Sequence, residues 1–124
     1  MILVVDANFL MSAYRFKVDA ISGLRELAGG NLRLVTSSAV IKELEGISRG
    51  KNLSARGASY ALGLLEKGGA EVVKTGKGAD DWIVDYCVSH NAVACTNDAK
   101  LRKTLRESGV RSIVLKGKAQ LDYA

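Results

Sequence analysis

Four carboxylates stand where an acid is out of place. Asp6 follows directly on the apolar run Met1-Ile2-Leu3-Val4-Val5, and Asp98 closes a second such run, Ala92-Val93-Ala94-Cys95-Thr96-Asn97. Asp80 shares a helical face with Ile83, Val84 and Cys87, at offsets of three, four and seven, and is expected to point toward a sheet. Glu43 lies between Val40 and Ile47 on the edge of an inward stripe that includes Leu44. If one parallel sheet gathers them, the four form a negative cluster that repels itself unless a divalent cation neutralises it. Such a cluster suits metal-dependent phosphodiester chemistry.

Each acid also has a plainer reading. Asp6 in Val5-Asp6-Ala7-Asn8 is a natural helix cap. Asp80 and Asp81 open a helix, where negative charge opposes the positive end of the dipole, but a cap needs only one of them. Asp81 turns aside next to Asp85 and is the better cap, or an accessory group beside Asp80. Glu43 leans toward a core and needs a partner, either a base or a metal. A shared site accounts for all four placements at once.

Other signals are weaker. His90, the sole histidine, sits near a helix end and is expected on the surface. Gly76-Lys77-Gly78 lacks the spacing and the Ser/Thr of a phosphate-binding loop. Trp82 and Tyr86 share a helix face and are read as packing. Tyr14, Arg15 and Lys17 lie near the first strand end, within reach of a ligand by location alone.

The elements that must position these residues alternate five times. Strands are expected at 2–5, 32–36, 71–74, 92–96 and 112–115, and helices at 8–14, 19–28, 38–48, 54–67, 80–90 and 98–108. That pattern predicts an α/β fold with a central parallel sheet of about five strands and helices on both faces. Gly29-Gly30 and Gly68-Gly69 precede strands and read as helix stops. In a 3-2-1-4-5 order, strands one and four are neighbours across the switch point, so Asp6 and Asp98 face one pocket.

The 124-residue chain is one domain, residues 1–124, of ordinary soluble composition: 48% hydrophobic and 25% charged. Its apolar runs are strand-length and its start lacks a basic leader region, so no membrane is expected as a partner. Two cysteines in apolar patterns suit a reducing cytoplasm. Between Asp98 and Lys118 seven bases face two acids, which accounts for the whole formal charge of +5. A basic stripe beside an acid cluster suits a polyanion held by its phosphates. A solvated helix face is the alternative.

With these residues in order, the chain resembles the PIN-domain nucleases. The resemblance rests on Val4-Val5-Asp6-Ala7-Asn8, Val40-Ile41-Lys42-Glu43-Leu44, Ala79-Asp80-Asp81-Trp82-Ile83-Val84 and Ala94-Cys95-Thr96-Asn97-Asp98 with Leu101. The doubled acid at 80–81 and the basic run from Lys100 to Arg106 are most similar to the ribosomal-RNA-processing PIN endonucleases, with VapC-type toxins as the neighbouring branch. The family implies a three-layer α/β/α fold and Mg²⁺- or Mn²⁺-dependent endoribonuclease activity, with one or two ions. It implies catalysis and metal binding by Asp6, Glu43, Asp80 and Asp98, with Asp81 secondary.

On that basis Asp6 and Asp98 hold the principal metal, and the products are a 5′-phosphate and a 3′-hydroxyl. Asn8, Thr96 and Asn97 orient water or ligands one step removed. Lys100, Arg102, Lys103 and Arg106 grip the RNA backbone without reading bases. A homodimer, and a ribosome-assembly factor or an antitoxin as protein partner, are further expectations from the family. Two rivals share the topology. A phospho-acceptor domain wants adjacent acids after strand one and an acceptor Asp after strand three, where Lys74-Thr75 stands. A non-catalytic PIN-like module keeps RNA or protein binding without turnover.

Overall fold

A computed structural model describes residues 1–116 and 120–124. Lys118, one of the seven bases of the C-terminal basic segment, lies outside the described residues. The chain runs β1 (Ile2–Val5), α1 (Ala7–Arg15), α2 (Ala20–Leu27), β2 (Arg33–Ser37), α3 (Ser38–Ser48), α4 (Leu53–Lys67), β3 (Glu71–Val73), α5 (Ala79–His90), β4 (Val93–Cys95), α6 (Ala99–Glu107), β5 (Ser112–Lys116) and β6 (Gln120–Tyr123).

The sheet order is β3-β2-β1-β4-β5-β6. Its first five strands are parallel, in the order expected from the sequence. A sixth, β6, was not anticipated; it returns antiparallel to β5, with Ile113 opposite Tyr123 and Lys116 opposite Gln120. Side chains on a strand alternate between the two faces of the sheet. Leu3, Val4 and Val5 in succession are nonetheless fully buried, as are Ala94 and Cys95, so both faces of the centre are covered. The result is a three-layer α/β/α arrangement. No helix among the described residues is long and apolar enough to cross a membrane.

Two local features shape the surface around α1. The small residues Ala55, Gly57, Ala58 and Ala61 form the buried side of α4. A methyl group at Gly57 would stand 3.5 Å from the Tyr14 ring, so α4 lies close against α1. The second feature concerns helix ends. Gly29, Gly69 and Gly109, just past the ends of α2, α4 and α6, have positive φ, as the glycine stops require. At the end of α1 that conformation falls on Lys17, at φ 56°. Lys17 N–H donates to Tyr14 C=O at 3.1 Å and Val18 N–H to Ala13 C=O at 2.9 Å, which closes the helix.

Candidate metal centre

The strand order reverses between β1 and β4, and the crevice beyond their carboxyl ends is where open parallel sheets place ligands. Val5 lies opposite Cys95, and the Asp6 N–H extends that pairing by donating to Cys95 C=O at 3.0 Å. Asp6 is thereby fixed at the crevice, and it is only 6% exposed. Although it stands at the cap position of α1, its side chain accepts no capping hydrogen bond. Its Oδ2 instead accepts from Thr96 Oγ1 at 2.8 Å. The same Thr96 oxygen accepts from the Asp98 N–H at 3.1 Å.

Asp98 does cap its helix. Its Oδ1 accepts from the Lys100 and Leu101 amides at 2.9 and 3.1 Å, which holds the carboxylate at the mouth of α6. Gly78 opens α5, so Asp80 and Asp81 lie inside its first turn and neither is the cap. This removes the cap reading of Asp81 and leaves it as a group beside Asp80. Asp80 and Glu43 are also less inward than their helical offsets implied, for both are exposed at the rim. All the same, Asp6, Asn8, Glu43, Asp80, Asp81 and Asp98 line one cleft of about 420 Å³.

Their charges act on one another. Burial pushes the Asp6 carboxyl up to about 6, and Asp80 and Glu43 add to the rise while the Thr96 hydrogen bond opposes it. Glu43 is raised by partial burial and then by Asp80. Asp80 is raised by partial burial, then by Asp98 and Asp81, with Lys100 acting against them. The ion pairs among the described residues are Arg33–Glu71, Lys77–Asp85 and Lys116–Asp122, and they involve none of the cleft acids. A base as Glu43's partner is therefore not found among the described residues.

A set of hard carboxylate oxygens, mutually repelling and without an ion-pair partner, fits a divalent cation of the Mg²⁺ or Mn²⁺ kind. The fit is one of chemistry more than of finished geometry. Among the described residues no three His, Cys, Asp or Glu side chains already stand grouped to hold an ion.

The accessory groups divide. Asn8 lines the cleft, with its Oδ1 accepting from Ser12 Oγ at 3.3 Å; Ser12, buried one turn on, was not singled out from the sequence. Asn97 is engaged elsewhere. Its Nδ2 donates to Leu115 C=O at 3.0 Å and its Oδ1 accepts from Leu115 N–H at 2.9 Å, so it ties the end of β4 to β5. Both polar atoms of its side chain take part in that tie. On α6, Leu101 and Leu105 are buried beneath exposed Lys100, Lys103 and Arg106, with Arg102 half-buried and its Nε enclosed without a partner. His90 is exposed and stacked on Tyr86 at 3.9 Å, and Trp82 is buried.

Comparison with known proteins places these features. Residues 3–118 match the family described as PIN like domain. Ribonuclease VapC9 of Archaeoglobus fulgidus is 34% identical over 110 residues, covering 86% of this chain and 77% of that protein. Ribonuclease VapC4 of Methanocaldococcus jannaschii is 25% identical over 120 residues, covering 94% and 91%. The PIN domain endonuclease Utp24 superposes with a TM-score of 0.82 at 23% identity, over 98% of this chain and 90% of its own. VapBC-1 from nontypeable Haemophilus influenzae gives a TM-score of 0.61 at 20% identity, over 90% and 96%. These two likenesses speak to the fold.

Proposed function

The chain belongs to the PIN-like domain family, and from that premise we propose that it is a metal-dependent endoribonuclease whose working groups are Asp6, Glu43, Asp80 and Asp98. One observation carries the proposal: four carboxylates from four separate elements line a single cleft at the switch point, with no ion-pair partner among the described residues. Curated relatives called ribonucleases support RNA as the substrate.

Asp6 and Asp98, which follow the two central strands, would hold the principal Mg²⁺ or Mn²⁺, with Glu43 and Asp80 completing its ligands or holding a second ion. Bound there, such an ion lowers the pKa of water and polarises a phosphoryl oxygen, giving a 5′-phosphate and a 3′-hydroxyl. The chain's own residues do the rest. Thr96 holds Asp6 by its hydroxyl and the Asp98 backbone by its oxygen, which sets the spacing of the two acids. Asp81 adds negative charge beside Asp80. Lys100, whose charge acts on Asp80, and Lys103 and Arg106 along α6 would hold phosphates of the strand entering the cleft.

The protein partner follows from the branch: an antitoxin if the chain acts as its VapC-named relatives do, a ribosome-assembly factor if it acts in processing. An end-labelled mixed-sequence RNA incubated with Mn²⁺, Mg²⁺ or EDTA, beside an Asp98→Asn control, tests the reading. Metal-dependent cutting that the control loses is the expected result. The alternative outcome is a module that binds RNA without cutting it. Binding without cleavage in either metal would select it.

A further inference from the structure

A second concave surface lies along α1 and α4. It encloses about 700 Å³, with Tyr14, Leu53 and Tyr60 among its lining residues and Arg15, Lys17 and Lys67 supplying its cations. Asp19 also borders it, but that carboxylate caps α2 and is taken up by the Ser22 amide at 3.2 Å and the Ser22 hydroxyl at 2.8 Å. The groove thus carries three cations against one carboxylate, and that carboxylate is turned to Ser22. The Tyr14 and Tyr60 rings lie 5.1 Å apart, tilted by 45°, with Tyr60 39% and Leu53 60% exposed.

The groove is not isolated from the acid cleft. A smaller hollow between them is bordered by Asn8 and Ser12 at one end and by Tyr14, Arg15 and Leu53 at the other. Asn8 also borders the acid cleft, while Tyr14, Arg15 and Leu53 also border the groove. The three hollows thus adjoin in series, from the carboxylates past Asn8 to the paired tyrosines.

We propose that this groove binds an unpaired run of the RNA strand flanking the cleavage point, its bases against Tyr14 and Tyr60 and its phosphates on Arg15, Lys17 and Lys67. The inference rests on the ribonuclease reading and deepens it, for it adds to the acid cleft a second surface that holds the flanking strand. Aromatic rings beside a basic rim are how sequence-tolerant single-strand binding is built, since every base offers a face to stack and every linkage a charge. An apolar protein segment would use Leu53 but would leave the three cations, and the continuity with the acid cleft, without a purpose. Lys17 is the telling residue. It holds a positive-φ position that glycine fills after α2, α4 and α6, and its side chain borders the groove.

The test uses Asp98→Asn protein, so that RNA is not consumed, and fluorescence anisotropy with a dozen-nucleotide single-stranded RNA and a duplex of the same sequence. Adding Tyr60→Leu is expected to weaken single-strand binding about tenfold and to leave duplex binding unchanged. Lys67→Gln, an exposed change that spares the fold, is expected to make the log–log salt dependence shallower by about 0.7. Photo-cross-links from thiouridine-containing RNA are expected in the α1 and α4 peptides. Unchanged affinity in both variants, with melting as in the parent and metal-dependent cleavage by the unsubstituted protein, would overturn the groove alone and assign it to a protein segment. Absence of both RNA binding and cleavage in the unsubstituted protein would overturn the ribonuclease reading, and the groove with it.

Discussion

Thr96 Oγ1 lies 2.8 Å from Asp6 Oδ2, joining two residues ninety positions apart across the seam between β1 and β4. That hydroxyl restrains the rise in the Asp6 carboxyl's pKa, which burial drives to about 6. Thr96→Val removes the restraint, so the acid limb of the cleavage profile is expected to move to higher pH, while Thr96→Ser keeps it in place. Rates measured from pH 5 to 8 decide. Identical limbs in Thr96→Val and the parent would show that the hydrogen bond does not set the charge of Asp6.

The raised pKa carries a stability consequence of definite sign. Folded Asp6 holds its proton more tightly than the unfolded chain does, so the stability it contributes is present below its ordinary 3.8 and is lost as pH rises through about 6. At pH 8 without divalent ions the charged side chain costs about 3 kcal/mol. Asp6→Asn is therefore expected to melt several degrees higher there, and no higher at pH 4. Scanning calorimetry at the two pH values tests this.

Divalent ions are expected to reverse that order. A ligand that binds only the folded state stabilises it by about 4.1 kcal/mol at a thousand times its dissociation constant. Titrating Mn²⁺ at pH 8 should raise the melting temperature of the parent and leave Asp6→Asn almost still. Parallel, flat titrations for both proteins would remove the metal centre from consideration.

Asp80 and Asp81 are separable. Both border the cleft, but Asp80 is the one that raises Asp6, bears on Glu43 and feels Asp98 and Lys100. Asp80→Asn is expected to reduce cleavage a hundredfold or more, and Asp81→Asn about tenfold or less. Single-turnover rates would show the roles exchanged if the assignment is inverted.

Lys17→Gly is expected to stabilise the fold by up to about 1 kcal/mol, because a side chain in the left-handed region is costly and glycine is not. Chemical denaturation measures the gain, and the RNA-binding assay reads the accompanying loss of one charge from the groove.

Much of the fold was legible in the residues. The alternation of apolar runs with helical stripes implied five strands in their observed order, because a buried parallel strand must be apolar on both faces. Asp6 and Asp98 were located by the same logic, as acids that end such runs. β6 escaped because Gln120-Leu121-Asp122-Tyr123 offers only two apolar residues, and its pairing depends on β5 rather than on its own propensity. The bridge from Thr96 to Asp6 depends on Val5 standing opposite Cys95, a register that no local pattern encodes. The Asn97 tie was hidden for a related reason: its partner, Leu115, lies on another strand. For Glu43 and Asp80 the helical offsets indicated the right edge but not the depth, since a residue at the border of an apolar stripe lies at the rim of the crevice and not beneath it.

The tie between Asp6 and Thr96 has a last implication. In chain order the first two acids belong to the part that carries α1 to α4, and the last two to the part that carries α5 and α6. Neither part owns a complete set, and Asp6 is held by a hydroxyl from the other. Expressed as two polypeptides divided in the exposed loop at Gly76, the protein is expected to report its own reassembly: each piece alone inert, with cleavage returning only when the seam between β1 and β4 zips shut.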